Sequence, residues 1–197
     1  MRILVINPGA TSTKIAVYED EAEVFSASLT HAAEELSGFS RVVDQLPLRE
    51  GLVRSALTEA GYAPASFDAV CSRGGLVRHI PSGTYEIDDQ VIHDIYNPPF
   101  GEHASSLGPV IARRIADEAK IPAYLVDPVS VDELQPLARV TGLDGMERES
   151  FFHALNQKAV ARKVAADLGK PYESLNLIIV HMGGGVSVAA HEKGRVV

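Results

Sequence analysis

The chain opens with short apolar runs punctuated by glycine. Residues 3–6 (ILVI) form a β-rich run, residues 7–12 a glycine-containing turn, and residues 13–18 a second strand in which Ile15 and Val17 alternate with more polar neighbours. A third strand is expected at about 23–29, across the acidic turn Glu19-Asp20-Glu21. Three strands before any helix argue against a plain Rossmann start, which alternates strand and helix from the outset.

Helical spacing takes over at residues 39–60. Phe39, Val42, Val43 and Leu46, then Val53, Ala56, Leu57 and Ala60, follow a 3.6-residue period; Pro47 predicts a division into two pieces and Gly61 a stop. Residues 67–72 read as a strand entering Arg73-Gly74-Gly75, and residues 88–96 as a helix ended by Pro98-Pro99. A helix over 105–120 carries Leu107, Ile111 and Ile115 at four-residue spacing. Strand 123–126 then delivers Asp127 to its carboxyl end, the edge where open α/β sheets bind ligands. The polar stretch 142–149 marks a domain boundary. Beyond it, a helix over 152–168 is expected to bury Leu155, Ala159, Val160, Val164 and Leu168 and to turn Lys158, Arg162 and Lys163 to solvent. A strand at 177–180, the turn Gly183-Gly184-Gly185 and a return strand at 187–190 follow.

Composition narrows the partners. The 197 residues are 46% hydrophobic and 22% charged, an ordinary globular balance. Eighteen Lys+Arg against 26 Asp+Glu give a net charge of -8, which argues against nucleic acid or an anionic membrane as a partner, so an anionic ligand must be held locally. The single cysteine, Cys71, forms no internal disulfide, and no Cys/His set has zinc spacing, which fits a cytoplasmic protein. No run approaches the roughly 20 apolar residues of a membrane span.

Two segments, NPGATSTK at 7–14 and HMGGGVS at 181–187, share a layout of apolar strand, polar residue, glycine turn, hydroxyl residues and return strand. Glycine lets successive backbone N–H groups approach an anion, and neither segment carries an acidic residue. Neither is a Walker A loop or a GxGxxG fingerprint, and each alone is equally compatible with an ordinary tight turn.

These segments, together with CSRGG at 71–75, NPPFGEHASSLGP at 97–109, VDPVSVDEL at 126–134 and SFFHALNQKAVARKVA at 150–165, resemble the butyrate kinase branch of the acetate kinase family. That family lies in the sugar kinase/Hsp70/actin superfamily. The resemblance implies an α/β fold: an actin-like, ribonuclease H-like βββαβα mixed sheet with helices on both faces, plus the start of a second, similar domain. It implies a first domain over 1–149 and, over 150–197, a connecting helix and first β-hairpin of an incomplete second domain. The family segments that hold adenosine, a second arginine and a magnesium carboxylate are expected beyond Val197. The fragment alone is expected to be weakly active or inactive.

The implied activity is ATP- and Mg2+-dependent, reversible phosphorylation of a butyrate-like carboxylate, with ATP/ADP as the other small-molecule partner and a homo-oligomer left open. Such phosphoryl transfer needs charge neutralisation and positioning more than covalent chemistry. On that basis the resemblance makes Arg73, Asp127 and His153 catalytic, with Arg73 also gripping substrate. Ser12, Thr13, Lys14, His181, Gly183, Gly184 and Gly185 would hold nucleotide phosphates. Asn7 and Asp127 would support magnesium, and Phe152 and Val77 would line the acyl pocket. Structural alternatives stand beside each: a surface ion pair for Arg73, a helix N-cap for Asp127, hydrogen-bonded structural roles for the histidines, and core for Phe152. Ala10 departs from the serine common in relatives, which removes a hydroxyl but keeps the N–H. His31, His79, His93, His103 and His191 show no metal-pairing spacing and read as structural. Acetate, propionate and branched-chain acids are alternative substrates, and a noncatalytic phosphate- or partner-binding module is the rival of a different class.

Overall fold

Strict alternation builds the first sheet. In the computed structural model, which describes residues 1–183 and 185–197, β1 (Arg2–Pro8), β2 (Ser12–Glu19) and β3 (Ala22–Thr30) form an antiparallel meander. Leu4 and Ile6 of β1 and Ile15 and Val17 of β2 are buried, whereas Lys14 on the opposite face is exposed. The chain divides into two compact units, Met1–Arg78 with Thr84–Val126, and His79–Gly83 with Asp127–Val197. The expected boundary at 149/150 falls inside the second unit, just ahead of its long helix.

In the first unit a short helix, α1 (Ala33–Ser37), and a 3-10 turn (Val42–Gln45) precede α2 (Leu46–Glu59). The expected division at Pro47 falls at Gln45/Leu46, where the 3-10 turn ends and α2 begins. Pro47 sits in the first turn of α2, where its missing N–H has no intrahelical acceptor to lose, so the helix runs unbroken for 14 residues. β4 (Ala69–Arg73) pairs parallel with β1. A three-residue edge strand, β5 (Thr84–Glu86), too short for any pattern to announce, follows it. α3 (Asp89–Tyr96) is capped by Asp88, which accepts the Val91 N–H at 2.9 Å. α4 (Leu107–Ala119) buries Leu107, Ile111 and Ile115 completely and packs on β4 and on β6 (Ala123–Val126). The six-stranded sheet has the order β3-β2-β1-β4-β6-β5, with β1, β4 and β6 mutually parallel. Their carboxyl ends therefore share one edge, which carries the Gly9 turn and Arg73.

The second unit holds α5 (Ala154–Asp167) and a sheet of β7 (Asn176–Met182), β8 (Val186–Glu192) and β9 (Arg195–Val196). The buried side of α5 is not the one hydropathy selects. Ala154, Gln157, Lys158, Ala161 and Ala165 are buried, while Val160 and Leu168 are exposed. Alanines allow close approach: Ala161 and Ala165 pack with Tyr172, in the turn before the sheet, and with Ile179 of β7. Lys158 is buried because its Nζ lies 2.7 Å from Glu133 Oε2 and donates to the Gly194 carbonyl. Ile179 and Ala189 face inward on β7 and β8, and Ile178, Val180, Met182, Val186 and Val188 on the opposite face are 49–81% exposed. Among the described residues no helix is long and apolar enough to cross a membrane.

Candidate active site

The turn between β1 and β2 is closed by the Gly9 N–H donating to the Ser12 carbonyl at 2.7 Å. Beneath it lies a residue the sequence pattern did not single out. Arg49 of α2, fully buried, donates from Nη1 to the Gly9 carbonyl (2.9 Å) and from Nη2 to the Ala10 carbonyl (3.0 Å). It also donates to Thr13 Oγ1 (3.2 Å) and, through Nε, to Gln45 Oε1 (3.0 Å). Trans peptides point N–H opposite C=O. With two carbonyls drawn toward the guanidinium, the Ala10 and Thr11 N–H groups are directed away from α2, on residues that are both exposed. The turn thus keeps two backbone donors on the side opposite α2 and is braced from behind by a cation.

Thr13, expected among the phosphate-binding residues, keeps its side chain behind the turn. Its hydroxyl accepts from Arg49 and is hydrogen-bonded to His31 Nε2 at 2.8 Å, and the residue is wholly buried. Thr13 supports the turn from behind, because strand alternation sends it to the α2 side and Lys14 to the other. Ser12 is half-buried at the end of the turn. Lys14 faces Asn7 across the β1–β2 register, and both line a cavity of about 430 Å³ with Tyr18, Glu23, Ser26 and Ser28. Asn7 Oδ1 is buried and has no hydrogen-bond partner among the described residues.

Arg73 ends β4 and is half-buried. Among the described residues its guanidinium makes no ion pair or side-chain hydrogen bond, and burial pulls its pKa down. Two glycines fix its surroundings. A Cβ on Gly75 would overlap the backbone of Ser106, and one on Gly108 would overlap Ser72 Oγ, so the Ser105–Ser106 turn and the start of α4 can close against the Arg73 loop. His103, also in this unit, is held neutral first by burial and then by the charges of Arg73 and Arg49.

In the second unit Asp127 adopts a left-handed backbone (φ 38°) and is 2% exposed. Its Oδ1 accepts from Ser82 Oγ (2.7 Å) and the Gly83 N–H (2.8 Å). Oδ2 lies 3.8 Å from Arg162 Nη1, a residue read from the sequence as part of a solvent face. His153 Nδ1 lies 2.9 Å from Ser187 Oγ, and the His153 ring stacks on His181 at 3.7 Å and 10°. His181 Nδ1 lies 3.0 Å from Asn156 Oδ1. The glycine turn begins with the Gly183 N–H donating to the Gly185 carbonyl (3.1 Å), and Gly185 abuts the His153 ring. Gly184, the remaining expected phosphate-binding residue, lies outside the described residues.

Neither expected pocket-lining residue opens onto solvent. Val77 is 1% exposed in the first unit's core, and Phe152, 8% exposed, packs with Val131, Ala154, Ala189 and Val196. Among the described residues no group of three or more His, Cys, Asp or Glu gathers as a metal site.

The model of the acetokinase family matches residues 144–197. Over 196 residues the chain is 50% identical to butyrate kinase 1 of Clostridium acetobutylicum, a match covering 100% of this chain and 55% of that protein. The chain thus spans about half the length of the curated relative it matches. Among solved structures, acetate kinase from Entamoeba histolytica superposes with a TM-score of 0.69 at 16% identity, covering 100% of this chain and 54% of that one. Acetate kinase from Porphyromonas gingivalis gives 0.68 at 18% identity, with 99% and 56% covered. The chain is thus similar along its whole length to butyrate kinase 1, its residues 144–197 match the acetokinase family model, and its fold is that seen in the acetate kinases.

Proposed function

We propose that this chain is the phosphate-handling portion of an ATP-dependent carboxylate kinase of the butyrate kinase type, converting a short-chain fatty acid reversibly to its acyl phosphate. In this reading residues 1–149 supply the first actin-like domain, and 150–197 the connecting helix and opening hairpin of a second. The observation that carries it is Arg73. A half-buried guanidinium with no counter-ion among the described residues has lost hydration without recovering it in a pair, and an anionic ligand completes it. Its planar fork suits a carboxylate or a transferring phosphoryl group.

A carboxylic acid of pKa about 4–5 is already ionised at neutral pH, so no general base is needed. The carboxylate oxygen bonds to the γ-phosphorus of ATP as the bond to the ADP oxygen breaks, and the protein neutralises and aligns the two anions. The Ala10 and Thr11 N–H groups, with Ser12 and Lys14 alongside, serve one set of phosphate oxygens. His181 and the glycine turn serve another, and His153 donates to the phosphoryl group. Magnesium fits Asn7, whose buried amide oxygen has no partner among the described residues and is the kind of donor that ion prefers. Asp127 fits less directly, since one oxygen is committed to Ser82 and Gly83 and the other faces Arg162. Bound magnesium would neutralise phosphate charge. Chain-length choice among butyrate, propionate, acetate and branched acids rests on differences of about 1–3 kcal/mol per methylene.

The test is acyl hydroxamate formation from ATP, magnesium, butyrate and hydroxylamine. It is run with the 197-residue chain alone and with the rest of a butyrate kinase sequence supplied as a second polypeptide. Little product is expected from the chain alone. The pair should give product, and Arg73→Gln should lower its rate about 10²–10³-fold. A pair that makes no hydroxamate, or an Arg73→Gln pair with normal kinetics, refutes the reading. The first of those outcomes favours the rival, a noncatalytic binding module, which draws on the exposed apolar face of β7 and β8.

A further inference from the structure

We infer that Ser187 and Gln157 are positioning residues that hold the His153 imidazole in the tautomer with its N–H on Nε2, facing the glycine turn. The tautomer rests on hydrogen-bond geometry alone; the task given to that N–H rests on the kinase reading.

The assignment starts from a group that has no choice. Gln157, fully buried on α5, places Nε2 at 3.2 Å from the Ser187 main-chain oxygen, which can only accept, so this end of the amide is the NH2. Its second hydrogen points to Ser187 Oγ at 2.8 Å. The amide oxygen therefore faces His191 Nε2 at 3.1 Å, and His191 must donate from that nitrogen. His191 Nδ1 is left with a lone pair, which receives the Tyr172 hydroxyl at 2.5 Å. Both end groups agree. The Tyr172 phenol is pushed up to about 12, first by burial and then by Glu133, so it keeps its proton. His191 is pushed down by burial and by Lys158, so it stays neutral.

Direction then passes to Ser187. Its oxygen already accepts from Gln157 and, at 3.4 Å, from the His153 main-chain N–H. The acceptor within reach of its own hydrogen is His153 Nδ1, at 2.9 Å. A donating Nδ1–H would place a third donor on that oxygen and leave the serine hydrogen without a protein acceptor among the described residues, in a partly buried site. Nδ1 therefore accepts, and the ring proton sits on Nε2. The ring plane is set by stacking on His181, and a Cβ on Gly185 would fall 3.3 Å from His153 Nε2, so this nitrogen lies against the turn. In the kinase reading this N–H is the one that donates to the phosphoryl group.

Long-range proton–nitrogen NMR of the full 197-residue chain, with nitrogen-15 histidine, reads the tautomer directly. Wild type should show a protonated Nε2 and an unprotonated Nδ1 on His153. Ser187→Ala should release the ring to a mixture of both forms, and Ser187→Thr, which keeps the hydroxyl, should restore the single form. Gln157→Leu should act like Ser187→Ala; if it unfolds, the two serine variants still decide. A wild-type Nδ1–H, or an unchanged tautomer in Ser187→Ala, overturns the inference and leaves the kinase reading to its hydroxamate assay. Titration with ATP should shift the His153 Nε2 signal, with affinity about tenfold weaker in Ser187→Ala. An Nε2–H of the expected form that ignores ATP sinks the kinase assignment of this histidine while the positioning claim stands.

Discussion

Replacing Lys158 with methionine should damage the second unit far more than its place on a charged helix suggests. The side chains of Lys158 and Glu133 are 2% and 10% exposed, and their charged atoms lie 2.7 Å apart. The ammonium also donates to the Gly194 carbonyl at 3.1 Å, and Glu133 Oε2 accepts the Val196 N–H at 2.9 Å. Methionine retains the apolar stem but leaves a nearly dry carboxylate with one neutral donor, a change of about 3–5 kcal/mol. Glu133→Leu should cost about the same by stranding the ammonium. The double variant Lys158→Met/Glu133→Leu strands no charge. It should lie within about 2 kcal/mol of wild type, the residue of the loss being the unpaired Val196 N–H. With no tryptophan in the chain, urea unfolding is best followed by far-ultraviolet circular dichroism. A Lys158→Met loss below about 1 kcal/mol, or additive losses in the double variant, would refute the argument that a dry ion pair anchors α5.

Three further outcomes are expected. Arg49→Lys loses the fork that spans Gln45, Gly9, Ala10 and Thr13, so amide exchange at Ala10 and Thr11 should quicken and ATP affinity fall about tenfold while helix content stays constant; unchanged exchange counts against a guanidinium-braced turn. His31, His103 and His191 are each pushed below the usual histidine range, burial being the first cause. The unfolded chain thus binds more protons than the fold once pH drops below about 6.5, and the urea midpoint should decline from there as acid is added. Asp94, held by Arg78 down to about 2, contributes stability above about pH 4 that is lost only as pH falls toward that value. A flat profile between about pH 7 and 5 contradicts the histidine contribution. Finally, Val180 and Val188 form a cross-strand pair on the exposed face of the β7–β8 hairpin, so Val180→Lys with Val188→Glu should suppress concentration-dependent light scattering; scattering that persists locates association elsewhere.

Local alternation made the first sheet legible. Thr13, Ile15 and Val17 fall on one side and Lys14 on the other by strand geometry alone, and no distant partner is needed to decide it. The same logic failed on α5, because hydropathy treats lysine and glutamine as outward-facing and ranks leucine above alanine. Lys158 is inside because of Glu133, 25 residues earlier, and Gln157 because of Ser187 and His191, 30 and 34 residues later. Arg49 was missed for a related reason. Its partners are carbonyl oxygens, which every residue possesses and no residue type advertises.

The candidate site divides along the same line. The groups proposed to meet a ligand, Arg73 at a strand end and the glycine turns, are local signals that a sequence displays. The groups that orient them were not readable, although one trace was present. On β8, Ser187, Ala189 and His191 share one face, and Val186 and Val188 the other, so the polar residues sit where a lone hairpin would bury valines. On α5, His153 and Gln157 are four residues apart, hence on one side of the helix. A strand whose inward positions carry hydroxyl and imidazole groups, matched to a helix carrying imidazole and amide at i and i+4, cannot form a dry apolar contact. It must either leave buried polar atoms unsatisfied or join them in a directed hydrogen-bond chain. The chain from Tyr172 through His191, Gln157 and Ser187 to His153 is the second outcome, and its direction follows from one main-chain carbonyl that can only accept.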